Sequence, residues 1–255
     1  MKINNNNFIV TGGGGGIGKA TVNMLLENGA FVGVIDIDKE KLKSTESEFS
    51  KKYKEKTIFY NIDVGEINLV EEVVNEFFNK RGSIEGLINN AGIQIDEPLI
   101  SIQGELKKHS LEGFDRTLKT NLYGYFYMGR EVAEKMIMNR TEGVIVNVGS
   151  IAGVGHFGQT SYAASKGAVD ALSVTWAQEL AMYGIRVAGI NPGMCFTDMA
   201  KAVIERNKKI AKRWEKNTPM KRMSTPEEMA EGIKFIIEND FFCGRMLQID
   251  GGIRF

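Results

Sequence analysis

Apolar residues along this chain follow two alternating rhythms. Short runs that are apolar almost throughout, Phe8–Thr11, Ala30–Ile35 and Thr57–Ile62, alternate with longer stretches in which apolar side chains recur every three or four positions. The first rhythm predicts buried strands and the second amphipathic helices. Helices are accordingly expected from Ile17 to Asn28, from Lys39 to Glu55, and around the face made by Val70, Val73, Val74, Phe77 and Phe78. Gly86–Ile88, Val144–Val148, Arg186–Ile190 and Met246–Ile249 read as further strands. Leu111–Met138, Tyr162–Met182 and Pro226–Glu238 read as further helices. Strands apolar on both faces belong in a parallel sheet covered on both sides. The expectation is an α/β, doubly wound parallel sheet of about seven strands with helices on both faces. No repeat, linker or shift in composition interrupts residues 1–255, which read as one domain.

Composition narrows the function classes. With 43% hydrophobic and 25% charged residues in 255, the chain has ordinary globular usage. The 32 basic residues balance 32 acidic ones, so no global field attracts nucleic acid or an anionic membrane. Cys195 and Cys243 cannot build a disulfide framework, and no Cys/His spacing suggests a metal site. Met1–Asn7 lacks the apolar core of a secretory signal, and no apolar stretch reaches the ~18–20 residues of a membrane span. A cytoplasmic protein with reduced thiols is expected.

The chemistry begins at Thr11-Gly12-Gly13-Gly14-Gly15-Gly16-Ile17-Gly18, between a predicted strand and a predicted helix. In that setting glycines let the backbone pass beneath a pyrophosphate, and the helix start offers free N–H groups. Asp36 ends the second strand, where a carboxylate accepts both adenosine ribose hydroxyls and repels a 2′-phosphate. Neither Ile37 nor the glycine loop supplies an arginine or lysine for that phosphate, so NAD is favoured over NADP.

Further along, Asn89-Asn90-Ala91-Gly92 ends the fourth strand, Ser150 follows the fifth, and Tyr162-Ala163-Ala164-Ser165-Lys166 opens a helix. Tyr162 and Lys166 share a helix face. Such a pair alone is most often helix surface. A lysine ammonium close to a tyrosine stabilises its phenolate, which lets the tyrosine exchange a proton near neutral pH.

Taken together, the glycine loop, Asn-Asn-Ala-Gly, the serine ahead of Tyr-x-x-x-Lys and the later Pro192-Gly193 resemble the short-chain dehydrogenase/reductase family, from Thr11 through Asp250-Gly251-Gly252. The resemblance implies a Rossmann fold and makes Tyr162 the general acid/base. Lys166 becomes its tuner and a ribose ligand, Ser150 the holder of the substrate oxygen, and Asn121 the residue ordering a relay water. It implies a cofactor site of Gly12, Gly16, Ile17, Gly18, Asp36, Ile37, Asp63, Val64, Asn90, Ala91, Gly92, Tyr162, Lys166, Pro192, Gly193 and Thr197. Substrate contacts would come from Gln94, Ser150, His156 and Met194, with Ile95 and Phe157 nearby and Met199 and Val203 in a lid around 194–216. Members of the family commonly form tetramers, here with two-fold axes through the two long helices, and Phe255 within reach of a neighbour.

Three departures mark the chain: a slightly short interval from Ser150 to Tyr162, a short Asn239–Arg245 segment, and extra residues between Pro98 and Phe114. The insertion, Ser101 to Ser110, contains His109 and reads as a solvated excursion. Gln94 and His156 both suit a hydroxylated substrate. The leading expectation is an NAD-dependent dehydrogenase of a polyol or sugar-like secondary alcohol. A 3-hydroxyacyl-thioester dehydrogenase or 3-oxoacyl reductase is the alternative. A non-catalytic cofactor sensor or scaffold is a third reading, opposed by the presence of Ser150, Tyr162 and Lys166.

Overall fold

A computed structural model describes residues 1–102, 104–206 and 208–253; the side chains of Met199 and Val203, and Phe255, lie outside the described residues. Seven parallel strands form one sheet. The first half alternates β1 (Asn7–Thr11), α1 (Gly16–Glu27), β2 (Phe31–Asp36), α2 (Lys39–Tyr53), β3 (Thr57–Asn61), α3 (Ile67–Arg81) and β4 (Gly86–Asn89). A small hairpin follows, β5 (Ile100–Ser101) against β6 (Lys107–Lys108). The second half runs α4 (Leu111–Leu118), α5 (Gly124–Met138), β7 (Gly143–Val148), α6 (Thr160–Leu180), β8 (Ile185–Pro192), α7 (Asp198–Arg206), α8 (Lys208–Asn217), α9 (Pro226–Glu238) and β9 (Met246–Ile249). The order across the sheet is β3-β2-β1-β4-β7-β8-β9. The strand order reverses between β1 and β4, and the crevice above their carboxyl ends is where doubly wound sheets bind ligands.

Alternation along each strand divides the core in two. Phe8 and Val10 of β1 face one layer, packed with Val22 and Leu25 of α1, Phe49 of α2 and Ile233 of α9. Ile9, between them, faces Val74 and Phe77 of α3, Val132 of α5 and Trp176 of α6. The sheet is therefore covered on both faces, as its apolar strands require.

Local signals set the ends. The Asp38 side chain caps α2 by accepting from the N–H groups of Glu40 and Lys41. Thr225 and Glu228 form a capping box at the start of α9, with Pro226 at its first helical position. The expected helix Leu111–Met138 is interrupted by one π turn, Lys119–Tyr123, between α4 and α5. Its cause is tertiary. Asn121, fully buried there, accepts from the N–H of Ile93 at 2.8 Å and donates to its carbonyl at 2.9 Å.

The insertion also differs from expectation. Its tip is exposed, but its base is fixed rather than solvated. The His109 side chain is buried, and its Nδ1 lies 2.8 Å from the Ser110 carbonyl, so that nitrogen carries the proton. Glu97 accepts from the N–H of Ser110 at 3.0 Å, and the Ser110 hydroxyl caps α4 at 2.9 Å. Both cysteines are free thiols, and burial pushes the Cys195 thiol up to about 11. Among the described residues, no helix is long and apolar enough to cross a membrane, and no acidic, His or Cys cluster fits a metal ion.

Candidate active site

The β1–α1 loop lies at one end of a cleft of about 800 Å³. Gly12 and Gly16 have φ of +65° and +50°, a region that side chains resist. A Cβ on Gly18 would lie 2.0 Å from the Gly12 carbonyl, so helix and loop approach as closely as glycine permits. Gly15 precedes α1 without a side-chain cap, so the first N–H groups of the helix remain available to a phosphate. This cradle fits a dinucleotide pyrophosphate.

Asp36 stands at the end of β2. One carboxylate oxygen accepts from the N–H of Gly14 and the other from that of Asp38, each at 2.9 Å. Ile37 beside it is two-thirds exposed, and Asp63 and Val64 line the same end of the cleft. One feature was not visible in the motif. Lys41 of α2 lies across Gly14 and Gly15, and its ammonium pairs with Asp198 of α7 at 3.5 Å. A cation therefore does border the glycine loop, reached from the helix and not from the loop itself.

Asn90 joins the loops after β1 and β4. Its side-chain amide donates to the carbonyls of Thr11 and Gly12 at 3.0 and 3.1 Å. The Thr11 hydroxyl accepts from the N–H groups of Asn90 and Ala91. Asn90, Ala91 and Gly92 face the cleft beside Pro192, Gly193 and Thr197. Gly18 and Asn121 do not line it. Gly18 serves close packing, while Asn121 holds Ile93 and donates to Ser165 Oγ at 3.1 Å. The Asn121 side chain is thus committed behind the cleft wall.

At the other end, β7 and α6 bring Ser150, Tyr162 and Lys166 together. Ser150 closes a short turn by accepting from the N–H of Ala152, and its hydroxyl lies near enough to the Tyr162 phenol to favour its ionised form. Lys166, 3% exposed, donates to the Val148 carbonyl at 2.7 Å and to the Tyr125 hydroxyl at 3.1 Å. Burial pulls Lys166 down to about 7, against the opposing pull of Asp170. Burial also raises Tyr162, with the nearby Ser150 hydroxyl lowering it in part. The role of tuner that the family resemblance implies for Lys166 concerns the site with its oxidised cofactor bound. In the protein alone burial prevails at both groups, with Lys166 Nζ 5.9 Å from the centre of the Tyr162 ring.

The substrate wall contains two polar residues that motif reading missed. Asp96 accepts from the side-chain amides of Gln94 at 2.8 Å and Gln159 at 3.1 Å. His156 and Met194 also line this wall, Met194 being tied through its carbonyl to the N–H of Ser224 at 2.9 Å. A glutamine two residues before a carboxylate, Gln94 and Asp96 in the loop after Gly92, was the available signal.

The short chain dehydrogenase family profile matches residues 6–208. The 3-oxoacyl-(acyl-carrier-protein) reductase FabG of Thermotoga maritima is 37% identical over 241 residues, 93% of each chain. NAD+-bound xylitol dehydrogenase superposes with a TM-score of 0.89 at 32% identity, covering 99% of this chain and 100% of that one. The NADP-bound structure of ElxO gives 0.88 at 30% identity, over 97% and 98%. This chain belongs to the short-chain dehydrogenase family, and it is an oxidoreductase acting on CH–OH groups.

Proposed function

We propose that the protein interconverts a secondary alcohol, polyol or sugar-like, with its ketone, using NAD. The observation that carries this is the meeting of Ser150, Tyr162 and Lys166 in one cleft with the glycine cradle. A bound nicotinamide dinucleotide supplies the hydride acceptor in one direction and the donor in the other, and adds positive charge when oxidised. Ser150 holds the substrate oxygen. Tyr162 takes the hydroxyl proton during oxidation and returns it during reduction. Lys166 stabilises the phenolate and binds ribose. The cofactor contacts in this reading are Gly12, Gly16, Ile17, Asp36, Ile37, Asp63, Val64, Asn90–Gly92, Pro192, Gly193 and Thr197.

NAD is assigned because Asp36 presents an anionic acceptor, already oriented by two backbone N–H groups, where a 2′-phosphate would sit. Lys41 offers partial compensation, but its charge is shared with Asp198. The polyol assignment rests on the Gln94–Asp96–Gln159 cluster with His156, which suits several hydroxyls better than an acyl chain. A 3-oxoacyl thioester is the second reading, favoured by the Thermotoga maritima relative. In both, residues 194–216 act as a lid, and Lys41–Asp198 ties α7 to α2. Assembly as a tetramer is part of the proposal. An apolar groove of about 420 Å³ between α5 and α6, lined by Phe126, Ala133, Ile137, Trp176 and Leu180, is a surface that an isologous contact would cover.

Incubation with NAD+ or NADP+ and a panel of polyols, sugars, hydroxy acids and 3-hydroxyacyl thioesters tests the reading through reduced-cofactor absorbance. Turnover on polyols with NAD+ is expected. Turnover confined to thioesters would replace the substrate assignment, and none on any panel member would overturn both substrate readings.

A further inference from the structure

Tyr125 is not called for by any motif in the chain, yet it touches the buried lysine. It lies on α5 and is 1% exposed. Its hydroxyl has one hydrogen, which is donated to the Val148 carbonyl at 3.0 Å. At the 3.1 Å contact with Lys166 Nζ the phenol oxygen is therefore the acceptor. Lys166 also donates to the Val148 carbonyl at 2.7 Å, so the three groups close a triangle. Two of the three ammonium N–H bonds are taken. One remains for the cleft that Lys166 lines.

We propose that Tyr125 is a positioning residue for Lys166, its phenol oxygen fixing the ammonium so that the remaining N–H serves the cofactor ribose. This rests on the role given to Lys166 above. The physical reason is desolvation. An ammonium 3% exposed has lost its water, and each protein oxygen that accepts from it restores part of that hydration.

The other charged or titratable groups facing Lys166 are few. Tyr162 lies one turn before it on α6, and Asp170 one turn after it. One Asp170 carboxylate oxygen accepts from the Asn191 amide at 3.0 Å, and the other is buried without a hydrogen-bond partner. Among the described residues, strand β7 contributes the Val148 carbonyl and α5 contributes Tyr125. Without the phenol oxygen, one acceptor of the triangle is left.

Tyr125→Phe keeps the ring, which Lys166 Nζ approaches to 5.0 Å from the centroid, and leaves the Val148 carbonyl bonded to Lys166. The fold should survive, and thermal unfolding checks that it does. NADH affinity by fluorescence and kcat should then be followed against pH, beside Lys166→Met. With one acceptor gone Lys166 loses its proton more readily. NADH affinity should therefore fall at a pH about one unit lower than in the unmodified protein, and the alkaline limb of kcat should move with it. Unmoved limbs in a folded Tyr125→Phe, with Lys166→Met strongly impaired, would overturn the Tyr125 role alone. Normal affinity and turnover in Lys166→Met would overturn the reading of the site beneath it.

Discussion

The two ends of the cleft are built differently. The cofactor end is backbone: Gly12, Gly16 and Gly18 occupy positions where a Cβ meets a carbonyl, an amide or a strained φ. The substrate end is side chain: Gln94 and Gln159, from two loops, both donate to Asp96, and His156 lines the same wall. Backbone demands permit few residues and so leave a mark in any sequence that meets them. Side-chain walls permit many solutions, which is how one scaffold takes many substrates.

Lys166→Met should act most strongly on that contrast, since the lysine serves both ends. Turnover should fall at least ~10²-fold, the scale of lost acid/base assistance, and cofactor affinity should fall with it. Stability should move the other way. Folded Lys166 releases its proton near 7, while an unfolded lysine does so near 10.5. The unfolded chain then binds the proton more tightly, so folding becomes more favourable as pH rises from about 7 towards 10.5. At pH 7 the buried cation costs on the order of 4 kcal/mol. Methionine removes that cost and loses two hydrogen bonds, a net gain of about 1–3 kcal/mol that fades towards pH 10. Urea unfolding at both pH values measures it, and a less stable variant at pH 7 would contradict the account.

A change confined to the cofactor end should be smaller. Asp36→Ala with Ile37→Arg removes the carboxylate and places a guanidinium at an exposed position. A charged hydrogen bond of about 2 kcal/mol corresponds to a shift of roughly 30-fold in preference towards NADP. Parallel titrations with NADH and NADPH read the ratio. Tighter NADPH binding by the unmodified protein would reverse the assignment.

Thr225→Ala should have the smallest effect. It breaks the capping box of α9 and should cost about 1 kcal/mol of stability with little change in either affinity. Thermal unfolding and an NADH titration together check that the lid-side helix is structural.

The same contrast explains what was readable. Pro226–Glu238 was legible to the residue, its start marked by Thr225, Pro226 and Glu228, and so was Met246–Ile249, an apolar run broken only by Gln248. The π turn at Lys119–Tyr123 was not, since its cause is the clasp between Asn121 and Ile93, distant in sequence. Tyr125 sits within an apolar helical pattern and reads as core. Only the rule that a buried phenol needs a partner would have singled it out. The base of the 101–110 insertion was hidden likewise, because Glu97 and His109 acquire their roles only when the chain returns on itself.

Tyr162→Phe tests the central claim most directly, because it removes one oxygen and leaves the cradle intact. Turnover of the best alcohol substrate with NAD+ and the dissociation constant for NADH should be measured on the same preparation. The account predicts a loss of at least ~10²-fold in turnover with NADH affinity nearly unchanged. Turnover close to that of the unmodified protein would contradict it.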